Sequence, residues 1–198
     1  MFILSVDLGQ SVDYTAVSIV EQIRPQAGDH RDAAYLLRYL HRPPLGTPYP
    51  VIVGQVLSLL DRPPLDRDET PLVVDRTGVG AAVTDLFAAQ GVCPRAVTIT
   101  GGDSVNDTDP CNLRVPKRDL ASTLVALFQT GRLKIAAGLE LAPTLATELM
   151  NFKLKVNLTT GHDTYEAWRE GVHDDLVLSV AMGCWWAEYQ GTAGVWLA

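Results

Sequence analysis

Residues 176–187 form the longest apolar run in the chain, and two adjacent carboxylates, Asp174 and Asp175, stand directly in front of it. A helix with no polar face must be buried along most of its length. It would carry Asp174 and Asp175 at its mouth, where the helix dipole stabilises negative charge. A buried helix fronted by paired acids is half of a metal site. The other half should be an acid at the end of a buried strand, and two such acids, Asp7 and Asp75, lie far upstream.

The size and composition permit this arrangement. With 198 residues, 47% of them hydrophobic, the chain is expected to form one domain over residues 1–198 with a sizeable core. The formal charge of −7 carries no global nucleic-acid signature. Residues 114–169 are the exception, a block in which basic residues outnumber acidic ones, directly ahead of the Asp pair. The three cysteines, Cys93, Cys111 and Cys184, are far apart and show no C-x-x-C pair, so reduced thiols are expected rather than a disulfide framework or zinc knuckle. The N-terminal apolar stretch meets Asp7 at once, unlike a signal peptide, and residues 176–187 are too few to span a bilayer. The expectation is a soluble protein of the cytoplasm with no membrane partner.

Hydrophobic patterning orders the elements. Residues 2–7 and 14–21 read as strands of an antiparallel hairpin. Residues 33–41 read as a third strand, and 49–60 as a helix with period-3.6 apolar positions. Residues 72–75 form a short strand ending in Asp75. A helix over 81–90 and a strand over 95–100 complete a strand–helix–strand unit, which implies parallel pairing. Residues 101–111 are a polar loop, and Pro116 opens a helix over 117–130. A short strand at 133–136 and a helix over 140–151 follow. Residues 152–156 alternate apolar and basic, and with 165–168 they read as a β-hairpin with a basic face. The last helix runs from about 174 to 189. The fold class is α/β, a mixed central sheet flanked by helices, with an added β-hairpin before the C-terminal helix.

In a mixed sheet where the strands ending in Asp7 and Asp75 are neighbours, both carboxylates emerge at one end. The last helix then brings Asp174 or Asp175 to them. Carboxylates so close cannot all stay ionised unaided. A hard divalent cation neutralises them, and oxygen-only ligation suits Mg²⁺ or Mn²⁺. Two such ions about 4 Å apart activate water and stabilise a leaving oxygen in phosphodiester cleavage. A single Asp at a strand end is more commonly a turn cap; the combination of strands and Asp pair is what points to a site. Asp13 either reaches it or closes the hairpin turn. His173 is either an accessory group near a phosphate or water, or only a helix-entry residue. Trp185 and Trp186 read as packing.

Three stretches carry a family resemblance: residues 5–16 around Asp7, Val73-Val74-Asp75-Arg76-Thr77-Gly78-Val79-Gly80, and His173-Asp174-Asp175-Leu176-Val177. In this order and context the chain resembles the ribonuclease-H-like nucleases. Within them it is most similar to the nuclease domain of the large terminase subunit of tailed bacteriophages. The resemblance implies that Asp7, Asp75 and one or both of Asp174 and Asp175 bind two catalytic Mg²⁺ or Mn²⁺ ions. Adjacent helical residues point about 100° apart, so the expectation is Asp175 as the direct ligand and Asp174 as a second ligand or outer base. It implies cleavage of concatemeric double-stranded DNA during genome packaging in the bacterial host cell. Arg114, Lys117 and Arg118, with Lys153 and Lys155 on the hairpin, would meet the phosphate backbone. The partners it implies are a terminase ATPase domain, the small terminase subunit and the portal protein.

No G-x-x-x-x-G-K-[ST] phosphate loop occurs in the sequence, so packaging-motor activity is not expected of it. Three other readings stay open. One is a Holliday-junction-resolvase-like nuclease. Another is a fragment of a sugar-kinase or actin-like ATPase, for which residues 7–11 suit a first phosphate loop. The third is a catalytically silent domain that binds DNA or portal.

Overall fold

The structure is a computed structural model that describes residues 1–9, 13–25, 33–78, 80–158 and 173–193, with 153–158 and 191–193 as backbone only. Its centre is a mixed sheet in the order β6-β5-β4-β1-β2-β3-β7. The strands are β1 (Phe2–Asp7), β2 (Ala16–Ile23), β3 (Ala34–His41), β4 (Leu72–Asp75), β5 (Arg95–Thr100), β6 (Asn112–Pro116) and β7 (Leu133–Ile135). β1, β2 and β3 pair antiparallel; β4 lies parallel to β1, and β5 and β6 extend the parallel side. The helices among the described residues are α1 (Tyr49–Leu60), α2 (Gly80–Ala88), α3 (Lys117–Gln129), α4 (Ala142–Leu158) and α5 (Asp175–Ala193).

Strand alternation divides the core into two layers. Leu4, Val6, Leu72 and Val74 face α1 and α2. Ile3, Val73, Val97 and Leu113 face the layer made by α3, α4 and α5. The expected mixed α/β sheet is therefore present, with β1, α1, β4 and β5 at the expected boundaries.

Two local expectations need correction. β6 is a strand where residues 101–116 were expected to hold only a loop and a helix start. Its buried side chains are Leu113, Val115 and Pro116, too few for a clear period. Its last residue, Pro116, is extended (φ −60°, ψ 134°) and leads into α3, rather than being the first helical residue. A proline is tolerated there because β6 is an edge strand. The first strand of the expected β-hairpin is helical backbone: α4 continues through 152–156 to Leu158. Leu145, Leu149 and Phe152 keep helical spacing, and Lys and Leu are good helix formers, so nothing stops α4 where the alternation begins. The rest of that hairpin, 159–172, lies outside the described residues.

α5 crosses β1 and β2 in close contact. Every residue from 176 to 187 is buried, Trp185 and Trp186 included. The contact is polar at its centre. Ser179 donates to the Ser5 carbonyl at 3.0 Å, and its Oγ lies 2.8 Å from Ser18 Oγ, which is in turn 3.0 Å from Ser5 Oγ. One turn on, a Cβ on Gly183 would stand 2.6 Å from Ser5 Oγ. Toward the other end, Gln22 donates to the Tyr35 hydroxyl at 2.9 Å, and Tyr35 donates to Glu188. Arg132 binds Glu188 at 2.6 Å. Cys93, Cys111 and Cys184 are free thiols. No helix among the described residues is long and apolar enough to cross a membrane.

This packing separates two glycine substitutions. Gly183→Ala must push α5 off the sheet or turn Ser5 out of its hydrogen bonds, and should cost about 1–3 kcal/mol. Gly54, in α1, has open space around its Cβ position. Gly54→Ala should therefore stabilise by about 0.5–1 kcal/mol through helix propensity alone. Thermal melts of both variants check this: Tm is expected to fall for the first and rise for the second.

Candidate active site

The alternation that builds the core also places two acids. Asp7 is two residues on from Ser5, and Asp75 two on from Val73, so both point to the α5 side. β1 and β4 are parallel neighbours with Val6 opposite Val74, which sets Asp7 beside Asp75. Asp175 is the first residue of α5 and arrives over the same strand ends. All three are buried, at 6%, 7% and 6% exposure respectively.

The turn after β4 is tight. A Cβ on Gly80 would lie 2.5 Å from the Asp75 carbonyl oxygen, so only glycine lets α2 start so close to the acid. Thr77 donates its backbone N–H to Asp75 Oδ1 at 2.8 Å, while its hydroxyl accepts from the Ile99 N–H at 2.9 Å. That anchors the Asp75 side chain to β5.

Electrostatically the site is strained. Burial first, then the charges of Asp75, Asp175 and Asp174, push the Asp7 pKa well up. The side-chain interaction between Asp7 and Asp75 raises the pKa of the first and lowers that of the second. Burial also raises Asp75, opposed by the Thr77 hydrogen bonds and the Lys117 charge. Asp175 is pushed up to about 6 by burial, against the pull of Arg42. Asp174 is half-buried and binds Lys117 Nζ at 3.0 Å. The His173 ring stands against Tyr14, centroids 5.2 Å apart, with Nδ1 3.7 Å from Asp175 Oδ2.

The structure thus brings together Asp7, Asp75, Asp174 and Asp175, with His173 at the rim. Lys117 is turned inward onto Asp174 rather than outward. Arg114 is exposed on β6, and Arg118 is exposed in the first turn of α3, paired with Asp103 and 3.6 Å from Asp119. Asp13 is an exposed bend residue beside a cleft of about 240 Å³ that Gly9 and Thr15 also line. The side chains of Lys153 and Lys155 lie outside the described residues.

Glu148, Arg42 and Tyr14 were not foreseen. Glu148 is 5% exposed, forms an ion pair with Arg42, and accepts the Leu176 N–H at 3.1 Å and the Val177 N–H at 3.4 Å. Arg42 also lies 3.7 Å from Asp175 Oδ2 and 4.9 Å above the Tyr14 ring. One signal for Glu148 was present: it follows Leu145 by three and precedes Phe152 by four, an acid on the buried stripe of a helix.

Among the described residues no group of three or more His, Cys, Asp or Glu side chains is placed so that it could hold a metal ion as it stands. The donor chemistry nevertheless fits a hard divalent cation. The acids offer only oxygen, Asp7, Asp75 and Asp175 have raised pKa values, and Asp175 Oδ2 is buried with no hydrogen-bond partner.

The Asp175 shift has a sign that can be measured. An acid whose pKa is higher folded than unfolded favours the fold while protonated. That stability is present below the ordinary value of 3.8 and is lost as pH rises to about 6. Asp175→Asn should therefore raise the Tm of EDTA-treated protein at pH 8 by roughly 4–8 °C, equivalent to about 2 kcal/mol. The gain should vanish by about pH 3, where Asp175 is protonated in both states. Paired thermal melts across this range read it out.

No family model and no curated protein matches the sequence. Among solved structures, the chain is similar to the large terminase nuclease from thermophilic phage G20c, with 20% identity and a TM-score of 0.57 over 92% of this chain and 80% of that one. It also matches Thermus thermophilus RuvC, with 13% identity and a TM-score of 0.47 over 97% of this chain and 96% of that one. At that TM-score the second match adds no weight. The fold is the ribonuclease-H-like α/β fold of the large terminase nuclease, the one the sequence resemblance implied.

Proposed function

We propose that the protein is an endonuclease that hydrolyses phosphodiester bonds of double-stranded DNA with two bound Mg²⁺ or Mn²⁺ ions. The observation that carries this reading is the convergence of Asp7, Asp75 and Asp175 from β1, β4 and α5 on one sheet end. The ribonuclease-H-like fold supports it. Residues 1–198 are read as one nuclease domain.

Asp7, Asp75 and Asp175 would hold the ions, with Asp174 as a further ligand or outer base. Bound there, the ions supply an activated water and charge stabilisation at the scissile phosphate. Asp75, held by Thr77, presents a fixed oxygen. His173, exposed at the rim, would touch a phosphate or the attacking water. Lys117 offsets the acidic charge beside Asp174. Arg114 on β6 and Arg118 in the first turn of α3 are exposed, and they would track the DNA backbone. Lys153 and Lys155 are carried in the same role. By the same resemblance, the DNA is concatemeric viral DNA cut during packaging in the cytoplasm of a bacterial host, alongside a terminase ATPase domain, small subunit and portal protein.

Incubation with supercoiled plasmid and Mn²⁺ should yield nicked, then linear, DNA, and EDTA should stop the reaction. Asp75→Ala should lower the rate on the order of 1,000-fold, as expected when transition-state charge loses its support, with a circular dichroism spectrum like wild type. A wild type that leaves plasmid intact at every Mn²⁺ concentration sinks the proposal. The double variant Arg114→Ala/Arg118→Ala should weaken binding uniformly across sequences. The slope of log K against log salt should become shallower by about 2, one for each lost phosphate contact. An unchanged slope removes these two residues from the interface.

A further inference from the structure

α5 does not cap itself. Asp174 is in the N-cap position: its carbonyl accepts the Leu178 N–H at 2.9 Å, the first bond of the helix. An N-cap Asp ordinarily turns its own carboxylate back onto the N–H groups two and three residues ahead. Here those groups, on Leu176 and Val177, are taken by Glu148 Oε2, reaching across from α4. The Asp174 carboxylate is thereby released to point elsewhere, and it binds Lys117. The other oxygen of Glu148 pairs with Arg42, whose guanidinium lies 3.7 Å from Asp175 Oδ2 and stacks over Tyr14. One buried acid thus acts on both neighbouring carboxylates: it frees one and, through Arg42, steadies the other.

We infer that Glu148 is a positioning residue that caps α5 from outside the helix so that Asp174 and Asp175 are both presented to the metal site. This rests on the metal-nuclease reading for its consequence, though not for its geometry. Glu148 contacts neither DNA nor a reacting atom in this role. It sets where the two acids stand. Partners of this kind are worth roughly 10- to 100-fold in metal affinity.

The test combines two measurements on the full chain: amide hydrogen exchange without metal, and calorimetric titration with Mn²⁺ alone. In Glu148→Ala, exchange protection at Leu176 and Val177 should fall at least about tenfold, while residues 180–187 stay protected. Mn²⁺ affinity should fall by roughly 10- to 100-fold. Glu148→Gln keeps an acceptor oxygen for the two N–H groups and loses the charge opposite Arg42. It should retain amide protection and still lose Mn²⁺ affinity, which guards against a variant that simply fails to fold. Wild-type protection at both amides in Glu148→Ala overturns the cap. Wild-type Mn²⁺ affinity in both variants overturns the positioning role. A wild-type protein that binds no Mn²⁺ overturns the metal reading itself, and the exchange data then still decide whether Glu148 caps α5.

Discussion

The close approach of α5 to β1 and β2 is the contact on which the rest depends. Gly183 lets the helix come near, and the Ser5–Ser18–Ser179 cluster satisfies the polar groups that the approach buries. The contact also sets the register of the acids. α5 runs opposite to β1, and from Ser179 back to Asp175 is one turn, about 6 Å. From Ser5 on to Asp7 is two strand residues, about 6.6 Å. A helix seated on Ser5 at Ser179 therefore arrives at Asp7 with Asp175. The distant Gln22–Tyr35–Glu188–Arg132 network holds the other end and keeps the helix from pivoting.

That placement is electrostatically unfavourable for the fold alone. Three buried acids with raised pKa values are not what a core chooses, and desolvation is the largest cause for each. Two cations moderate the cost. Lys117 lies against Asp174 and acts on Asp75, while Arg42 lies between Glu148 and Asp175. Neither gives Asp175 Oδ2 a hydrogen bond. A site that is poorly satisfied by its own chain and composed only of oxygen donors is chemically suited to take up a cation.

Much of this is legible in the sequence. Apolar runs ending in an acid marked β1 and β4, and an apolar stretch behind an Asp pair marked α5, because burial on all sides removes polar residues. Short, half-exposed elements were less legible. β6 offers only Leu113 and Val115 as apolar markers, and its strand character comes from pairing with β5. Residues 152–156 satisfy a period of two locally, yet they extend a helix whose stripe began at Leu145. Local alternation lost to the continuity of a longer element.

Sequence alone determined the type of each long element, the placement of Asp7 and Asp75 at the ends of β1 and β4, and the location of a third acidic arm at the start of α5. Those properties follow from periodicity, which is local. Tertiary structure decided which charges meet across distance: that Lys117 turns inward to Asp174, that Arg42 from the end of β3 reaches Asp175, and that Glu148 on α4 takes over the cap of α5. Such pairings depend on how helices pack against a shared sheet. The apolar stripe of α4 marks Glu148 as buried, but not that it meets the first turn of α5.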